Sequence, residues 1–381
     1  MTRYLIVGDG AAGTEAALEL RRRSQTDEII LLSEEDAPPY RRPNLTRTLC
    51  GEAVPDNQFY QKPAAFYTEN RIDLRLGEKA LKLDRSSRTV ATSSGKVVDY
   101  DRLLLATGAS ARTLPVPGGT LPHVFKGRTL ADFNALEKTI AGKSGLSAVV
   151  IGGGLLGLEF ADGLLCRKLK VTVVEACPTP IPRQLDCRGA AIFSSILAAC
   201  SGLTVRYGHC VKNIGNDAVT LDDGEIFKAD VVVWAVGAVP NTELAAASGL
   251  TVGRGIAVDR FMRTADPAVF AAGDCAEIDG CVTGLWNPAR EQGRVAAVNM
   301  AGGSEQYTAE FQAARFVGFG TKMYSAGMVG LEGDGVTVEY GGDGVSTHSA
   351  LTFRNGKLVG IMLLGDVSAA LKFERRLDFS E

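Results

Sequence analysis

Two motifs of the form Gly-x-Gly-x-x-Gly occur in the sequence, at residues 8–13 and 152–157. Each motif follows a short apolar segment and precedes an amphipathic one, an order that predicts a strand, a turn and a helix. Glycines at these positions permit a tight turn and let backbone N–H groups at the start of the helix approach a pyrophosphate. Each motif therefore predicts a dinucleotide-binding site. A glycine-rich turn that only packs is the alternative for the first motif.

A carboxylate follows each motif at the end of the next apolar segment, Glu34 in the first case and Glu175 in the second. A carboxylate there accepts hydrogen bonds from ribose hydroxyls and repels a 2′-phosphate. No arginine follows Glu175 immediately, and Arg183 is the nearest cation downstream, so the second site is expected to prefer NADH to NADPH. The residues predicted to bind the first nucleotide are Gly8, Gly10, Ala12, Gly13 and Glu34, and those for the second are Gly152, Gly154, Leu155, Leu156, Gly157, Glu175 and Arg183.

The elements that carry these motifs repeat along the chain. Apolar segments at 4–7 and 29–32 flank a helical segment at 14–23, and the same order returns with strands at 148–151 and 171–174 around a helix at 155–166. This repetition predicts an α/β fold with two interleaved Rossmann-like dinucleotide-binding domains. From residue 306 short strands alternate with glycine turns, which predicts a small α+β C-terminal domain.

Composition excludes several classes of protein. The 381 residues include 41 Lys+Arg and 44 Asp+Glu, a formal charge of −3, so the global positive field typical of nucleic-acid binding is missing. The uncharged stretch at 145–158 is shorter than the roughly 20 apolar residues that cross a bilayer. The eight cysteines form no Cys-x-x-Cys, and the three histidines are scattered, so we expect a cytoplasmic protein with no metal site and no histidine-based triad.

Further motifs resemble those of a known family. Residues 106–109 (Ala-Thr-Gly-Ala) and 271–276 (Ala-Ala-Gly-Asp-Cys-Ala), together with the two fingerprints, resemble the two-dinucleotide flavoprotein reductases of the glutathione-reductase-like fold over about residues 1–300. The resemblance implies FAD in a domain of residues 1–111 and 238–304, NAD(H) in residues 112–237, and a C-terminal domain of residues 305–381. It implies that Asp274 binds the flavin ribityl chain and that Cys275 is inert. Further FAD contacts implied by it are Arg42, Pro43, Ala80, Thr107, Gly108, Arg112, Gly273 and Trp286, and Gly237 is implied for NAD.

The subfamily depends on residues 40–47, Tyr-Arg-Arg-Pro-Asn-Leu-Thr-Arg. Disulfide reductases of the superfamily carry a cysteine in this region, whereas this segment has none and resembles Tyr-x-Arg-Pro-x-Leu-Ser-Lys of rubredoxin reductases, oxygenase ferredoxin reductases and the NADH-binding part of assimilatory nitrite reductases. Residues 182–186 and 286–293 look like the same group. The family lysine is Arg47 here, and the resemblance implies that Arg47 forms an ion pair with Glu159 beside the nicotinamide; a solvated loop charge is the alternative. Cys50 lies three residues beyond Arg47, and the sequence leaves its distance from the flavin open.

The resemblance implies an FAD-dependent NADH reductase without a redox-active disulfide. Hydride would pass from NADH to FAD, and electrons then go singly to a small carrier of the rubredoxin or ferredoxin type. Such carriers are usually acidic, so some of Arg41, Arg42 and Arg47 are expected to face the partner. The alternatives are a peroxide-forming NADH oxidase and an electron-transfer or redox-sensing subunit of a larger complex. The short C-terminal domain favours a monomer over a homodimer.

Overall fold

The computed structural model describes residues 1–308 and 313–378. The chain divides into two compact units. The first unit comprises Met1–Asn44, Val54–Ser110 and Ala238–Glu310, and the second comprises Leu45–Ala53, Ala111–Gly237 and Phe311–Glu381. This division differs from the predicted three domains in two respects. Residues 45–53 join the second unit, and the predicted NAD-binding and C-terminal domains fall together within it, so the three-domain division stays a prediction.

Strands and helices are numbered in chain order. The strands are β1 (Arg3–Val7), β2 (Glu28–Leu32), β3 (Ile72–Arg75), β4 (Ala80–Asp84), β5 (Thr89–Thr92), β6 (Val97–Asp99), β7 (Arg102–Leu105), β8 (Ala109–Ala111), β9 (Val124–Phe125), β10 (Ser147–Ile151), β11 (Lys170–Glu175), β12 (Leu203–Tyr207), β13 (Val211–Ile214), β14 (Ala218–Leu221), β15 (Ile226–Lys228), β16 (Val231–Trp234), β17 (Ala238–Pro240), β18 (Ile256–Val258), β19 (Val269–Ala271), β20 (Ala276–Ile278), β21 (Ala313–Gly318), β22 (Thr321–Gly327), β23 (Val336–Gly341), β24 (His348–Arg354) and β25 (Lys357–Leu364). The helices are α1 (Ala11–Arg23), α2 (Leu45–Leu49), α3 (Asp56–Phe59), α4 (Ala64–Glu69), α5 (Leu130–Ile140), α6 (Leu155–Cys166), α7 (Cys187–Ala198), α8 (Glu243–Ala247), α9 (Trp286–Met300) and α10 (Ala370–Glu374), and a 3₁₀ turn spans Arg42–Asn44.

The first unit is built on a parallel five-stranded sheet of order β19-β7-β1-β2-β3. Strands β1 and β2 are buried on both faces and consist almost entirely of apolar residues. Helices α1 and α9 cover one face, where Gly293 passes so close to α1 that a Cβ there would lie 2.1 Å from the Ala12 oxygen. The small antiparallel sheet β4-β5-β6 covers the other face with Leu83, Val90 and Val98.

The second unit contains the repeated arrangement, a parallel sheet of order β12-β11-β10-β16-β9. Helix α6 follows β10 as α1 follows β1, and the antiparallel sheet β13-β14-β15 packs on the apolar face around Trp234. The predicted helix at 155–166 is confirmed, whereas the helix predicted at 14–23 begins three residues earlier, at Ala11. These paired sheets confirm the predicted α/β fold.

A C-terminal antiparallel sheet of order β21-β22-β25-β24-β23 belongs to the second unit. One face packs on α7, where the Phe193 and Phe316 rings meet edge to face at 5.7 Å. Helix α10 covers part of the other face. Within residues 1–308 and 313–378, every helix is too short or too polar to cross a membrane.

Candidate nucleotide-binding sites

The first glycine motif forms the turn between β1 and α1. Gly8 has a φ of +105°, and a Cβ there would lie 2.1 Å from the Ala106 oxygen, so only glycine fits. A Cβ on Gly13 would lie 1.8 Å from the Gly8 oxygen. Gly10 differs, because a Cβ there would meet nothing within 4 Å. Gly10 is also the N-cap of α1 and provides no side-chain acceptor, so the first N–H groups of the helix face this open space and fit a pyrophosphate.

The second motif repeats this geometry between β10 and α6. Gly152 has a φ of +107° with the Ala235 oxygen 2.5 Å from a Cβ position, and a Cβ on Gly157 would lie 1.9 Å from the Gly152 oxygen. Gly154, the N-cap of α6, again faces open space and has no side-chain cap. The turn therefore fits a second pyrophosphate. Leu155 and Leu156 follow in the first helical turn, and Leu156 is 40% exposed despite its size.

Glu175 lies at the end of β11, next to this turn. Its carboxylate accepts hydrogen bonds from the backbone N–H of Gly153 at 2.5 Å and of Cys177 at 2.8 Å. The hydrogen bond with Glu175 raises the pKa of the Cys177 thiol, and burial adds to the effect, while the nearby Arg183 lowers it. Two backbone hydrogen bonds thus hold the carboxylate of Glu175, the residue that the sequence predicts as a ribose ligand. Arg183, whose charge acts on the neighbouring Cys177, is exposed.

Two adjacent carboxylates, Glu34 and Glu35, follow β2, and their contacts differ. Glu34 is exposed and pairs with Lys79 Nζ at 2.7 Å. The next residue, Glu35, is more buried, and its carboxylate accepts hydrogen bonds from the Tyr40 hydroxyl at 2.8 Å and from Arg42 Nη2 at 2.7 Å. The sequence analysis missed Glu35. The motif's spacing allows either of two adjacent carboxylates, and only their contacts distinguish them.

Asp9, the second residue of the first motif, is a further group that the sequence analysis missed. The pKa of Asp9 is raised to about 6, mainly by burial and also by the neighbouring charge of Glu35, while a hydrogen bond with Ser33 and the charge of Arg42 oppose the shift. Two carboxylates therefore share the environment of Arg42 at the carboxyl ends of β1 and β2. The signal in the sequence was the acidic residue inside a motif that usually approaches phosphate.

The other predicted FAD contacts of the first unit lie on loops and element ends. The Thr107 hydroxyl donates to the Asn241 oxygen at 2.6 Å, and Asn241 N donates to the Gly108 oxygen at 2.9 Å, so this loop is held in place. Gly273 has a φ of +85° and its N–H donates to the buried Gln292 at 2.8 Å, immediately before Asp274. Pro43 lies in the 3₁₀ turn, Ala80 begins β4 and Trp286 begins α9.

Cys275 and Arg112 are the remaining predicted residues with contacts of their own. Cys275 is fully buried, its thiol donates to the Leu105 and Ala272 oxygens, and burial raises its pKa, all of which fit the expected inert role. Arg112, which the resemblance implied for FAD, belongs to the second unit, and its backbone N–H donates to the Gly237 oxygen at 2.9 Å.

Arg47 and Glu159 have other partners than the predicted ion pair. Arg47 Nη2 lies 2.8 Å from Glu52 Oε2, whereas Glu159 Oε2 accepts a hydrogen bond from the Thr46 hydroxyl at 2.9 Å. Adjacent residues of a helix point in directions about 100° apart, so the one-turn helix α2 that buries Thr46 against α6 directs Arg47 towards the surface. Burial raises the pKa of Glu159, and the hydrogen bond from Thr46 limits the rise. Thr46 is not expected from the sequence, because a lysine or arginine is the more obvious partner for a buried carboxylate.

Comparison with known proteins places the chain in a family. Residues 2–299 match the pyridine nucleotide-disulphide oxidoreductase family, and the chain belongs to it.

Two curated proteins are among the most similar relatives. Rhodocoxin reductase of Rhodococcus erythropolis is 39% identical over 277 residues, which cover 71% of this chain and 64% of the relative. The assimilatory nitrate reductase electron transfer subunit of Bacillus subtilis is 33% identical over 370 residues, covering 96% of this chain and 48% of the relative. The chain thus spans about half to two-thirds of the length of these curated relatives.

A solved structure has the same fold over nearly the whole chain. The ferredoxin reductase for the CYP199A2 system from Rhodopseudomonas palustris superposes with a TM-score of 0.89 at 31% identity, covering 98% of this chain and 94% of that one.

Proposed function

We propose that this protein is an FAD-dependent NADH reductase that delivers electrons to a small carrier protein of the rubredoxin or ferredoxin type. The observation that carries the proposal is the pair of glycine turns of equal geometry, each with an open, uncapped helix start, 144 residues apart. The reductase names of the similar proteins support the reaction class, and the carrier-protein acceptor is extended to this chain by likeness.

The proposed FAD site lies in the first unit. Gly8, Gly10, Ala12 and Gly13 would hold the pyrophosphate, and Asp274 would bind the ribityl chain. Glu34 is kept as the proposed ribose ligand, and the neighbouring Glu35 is the more buried carboxylate, bound by Tyr40 and Arg42. Bound FAD would accept a hydride from NADH and release electrons to the carrier. The segment at residues 40–47 has no cysteine, which supports electron delivery without a redox-active disulfide.

The proposed NADH site lies in the second unit. Gly152, Gly154 and Gly157 would hold the pyrophosphate, and Glu175 would accept hydrogen bonds from the ribose and exclude a 2′-phosphate. Glu159 lies in the second turn of the helix that starts at this motif, and Thr46 orients its carboxylate. We keep Arg47 and Glu159 as proposed residues beside the nicotinamide and add Thr46 as the residue that positions Glu159.

A visible spectrum of the purified protein is the first test. We expect a yellow protein whose flavin absorbance is bleached faster by anaerobic NADH than by NADPH, and which rubredoxin or ferredoxin then reoxidises faster than air. A colourless protein that takes up no FAD contradicts the proposal. Rapid reoxidation by air would instead establish the oxidase.

An electron-transfer subunit is the second candidate, since a relative with that name aligns over 96% of the chain. Slow turnover with every carrier, together with a stable complex with another protein, would favour this candidate.

A further inference from the structure

Three groups with metal-binding chemistry meet in the second unit, outside both glycine turns. Cys50 follows α2, whereas Asp162 and Cys166 lie four residues apart on α6 and so share one face of that helix. One ligand atom from each residue, two thiol sulfurs and a carboxylate oxygen, lies within 4.8 Å of the other two. The sequence predicted no metal site, because Cys50 is separated by more than a hundred residues of sequence from Asp162 and Cys166, which lie next to it in the folded chain.

The carboxylate of this cluster is held in a fixed orientation. Asp162 Oδ1 accepts a hydrogen bond from the Phe319 backbone N–H at 3.0 Å, and Oδ2 lies 3.9 Å from Cys50 Sγ. A Cβ on the neighbouring Gly318 would lie 3.3 Å from Oδ2, so glycine leaves that side uncrowded. Metal-binding carboxylates are typically anchored in this way, with one oxygen held by a hydrogen bond and the other available to the ion.

Close packing of α2 on α6 places Cys50 in the cluster. A Cβ on Gly163 would lie 2.8 Å from Leu49 Cγ, so only glycine permits this approach. Arg167 Nε also donates to the Leu49 oxygen at 2.8 Å. The residue before Cys50 is therefore fixed against α6 from two sides, and the thiol does not depend on a loose loop for its position.

The chemistry of the donor atoms decides which cation the cluster suits. A divalent cation would bind the two cysteines as thiolates and displace their protons. Two sulfurs and one carboxylate form a donor set that selects thiophilic ions rather than Mg²⁺ or Ca²⁺.

We propose that Cys50, Asp162 and Cys166 form a binding site for a thiophilic divalent cation such as Zn²⁺ or Cd²⁺. At metal–ligand distances of about 2.0–2.3 Å the ligand atoms of a tetrahedral site are roughly 3.5–3.8 Å apart, so the cluster needs to contract by at most about 1 Å. Cys166 is exposed and marks the solvent side, where water completes the coordination. Binding would tie α2 to α6.

Equilibrium dialysis of the purified, flavin-loaded protein against Cd²⁺ tests the site. We expect one tightly bound Cd²⁺ per chain, accompanied by thiolate-to-cadmium charge-transfer absorption. Cys50→Ser, Cys166→Ser and Asp162→Asn should each weaken binding by at least about tenfold. Cys187→Ser and Cys200→Ser are matched controls that should leave cadmium binding unchanged. Cys187 is exposed like Cys166. Cys200 has a pKa that is raised mainly by burial and also by the charge of Asp162.

A second measurement needs no substitution. In the wild-type protein, saturating Cd²⁺ should protect Cys166 but not Cys187 from alkylation by N-ethylmaleimide, as mapped by peptide mass spectrometry. Equal alkylation of the two exposed thiols overturns the site, as does a control variant that loses cadmium to the same extent as Cys166→Ser. Full binding by Asp162→Asn excludes the three-ligand arrangement. All of these outcomes are independent of NADH oxidation and carrier reduction, so they do not test the proposed reductase function.

Discussion

Single carboxylates have the largest chemical consequences at the residue scale. Glu175 has both oxygens engaged by backbone N–H groups, whereas Asp9 is held where its ionised form is disfavoured. One carboxylate is thus held in place by the backbone, and the other has a pKa raised to about 6. The two residues predict different experiments.

Replacing Glu175 should change nucleotide preference. Glu175→Gln keeps an acceptor for the backbone but removes the negative charge, so the ratio of kcat/KM for NADH over NADPH should fall about tenfold or more, from the usual value of a hydrogen bond to a charged group. Steady-state kinetics with both nucleotides measure this ratio. Glu225→Gln, at a carboxylate paired with Arg206, is the control and should leave the ratio unchanged. An unaltered ratio in Glu175→Gln would remove this residue from the ribose site.

Replacing Asp9 should make stability less dependent on pH. The folded-state pKa of about 6 lies above the ordinary value of 3.8, so the folded protein keeps the Asp9 proton over a range in which the unfolded chain is already ionised. The resulting loss of stability is absent below about pH 4, accumulates between pH 4 and 6 and is complete above about pH 6. Asp9→Asn should therefore raise the free energy of unfolding at pH 7.5 and have little effect at pH 4.

Urea denaturation of the flavin-free protein at the two pH values measures this difference. The exposed Asp217→Asn is the control. A stabilisation by Asp9→Asn of equal size at both pH values would contradict the role of ionisation.

At the scale of elements, the turns before α1 and α6 could be predicted from the sequence, whereas the packing of α2 on α6 could not. The glycine spacing predicts both turns because the first and last glycines of each motif have a steric reason, as the contacts of Gly8 and Gly13 show. The pairing of Glu159 was not predictable, since it depends on which face of the five-residue helix α2 meets α6. Sequence patterns of that length do not define a face.

The second and third glycines of the first motif, Gly10 and Gly13, should respond differently to alanine. Gly13→Ala places a Cβ 1.8 Å from the Gly8 oxygen and should lower the free energy of unfolding by about 3 kcal/mol or more. Gly10→Ala meets no protein atom and has a negative φ of −65°, so the fold should persist while flavin is lost, because the methyl group occupies the space in front of the helix. Thermal unfolding and the flavin-to-protein absorbance ratio separate the two effects. A Gly10→Ala protein with a full flavin complement would contradict the pyrophosphate assignment.

For the whole molecule, the repeated strand–turn–helix order predicted two nucleotide-binding folds, and both parallel sheets are present. The grouping of residues 45–53 with the second unit could not be predicted, because it arises from contacts such as that of Leu49 with Gly163. The packing of the C-terminal sheet on α7 could not be predicted from the sequence either. The apolar residues of β21 and β25 indicate that these strands are buried, but they do not identify the element that packs against them.

The C-terminal sheet should contribute strongly to the stability of the second unit. Phe316 is 1% exposed and packs against Phe193, so Phe316→Ala should cost about 3–5 kcal/mol. Urea unfolding followed by tryptophan fluorescence reports the change, since Trp234 lies in the core of the same unit. Val317→Ala, at an adjacent residue that is 67% exposed, is the control and should change stability by less than about 0.5 kcal/mol. A small effect of Phe316→Ala would mean that the sheet folds independently of α7.

The first unit is assembled from three separate stretches of chain, and this has a consequence for biosynthesis. Its sheet needs β19 to pair with β7, so the amino-terminal motif, although translated first, cannot complete its fold until residues near 270 have left the ribosome. The parallel sheet of the second unit is complete at Trp234. During translation the later nucleotide-binding sheet can therefore form before the earlier one, and the nascent chain must keep the apolar strands β1 and β2 from aggregating in the meantime.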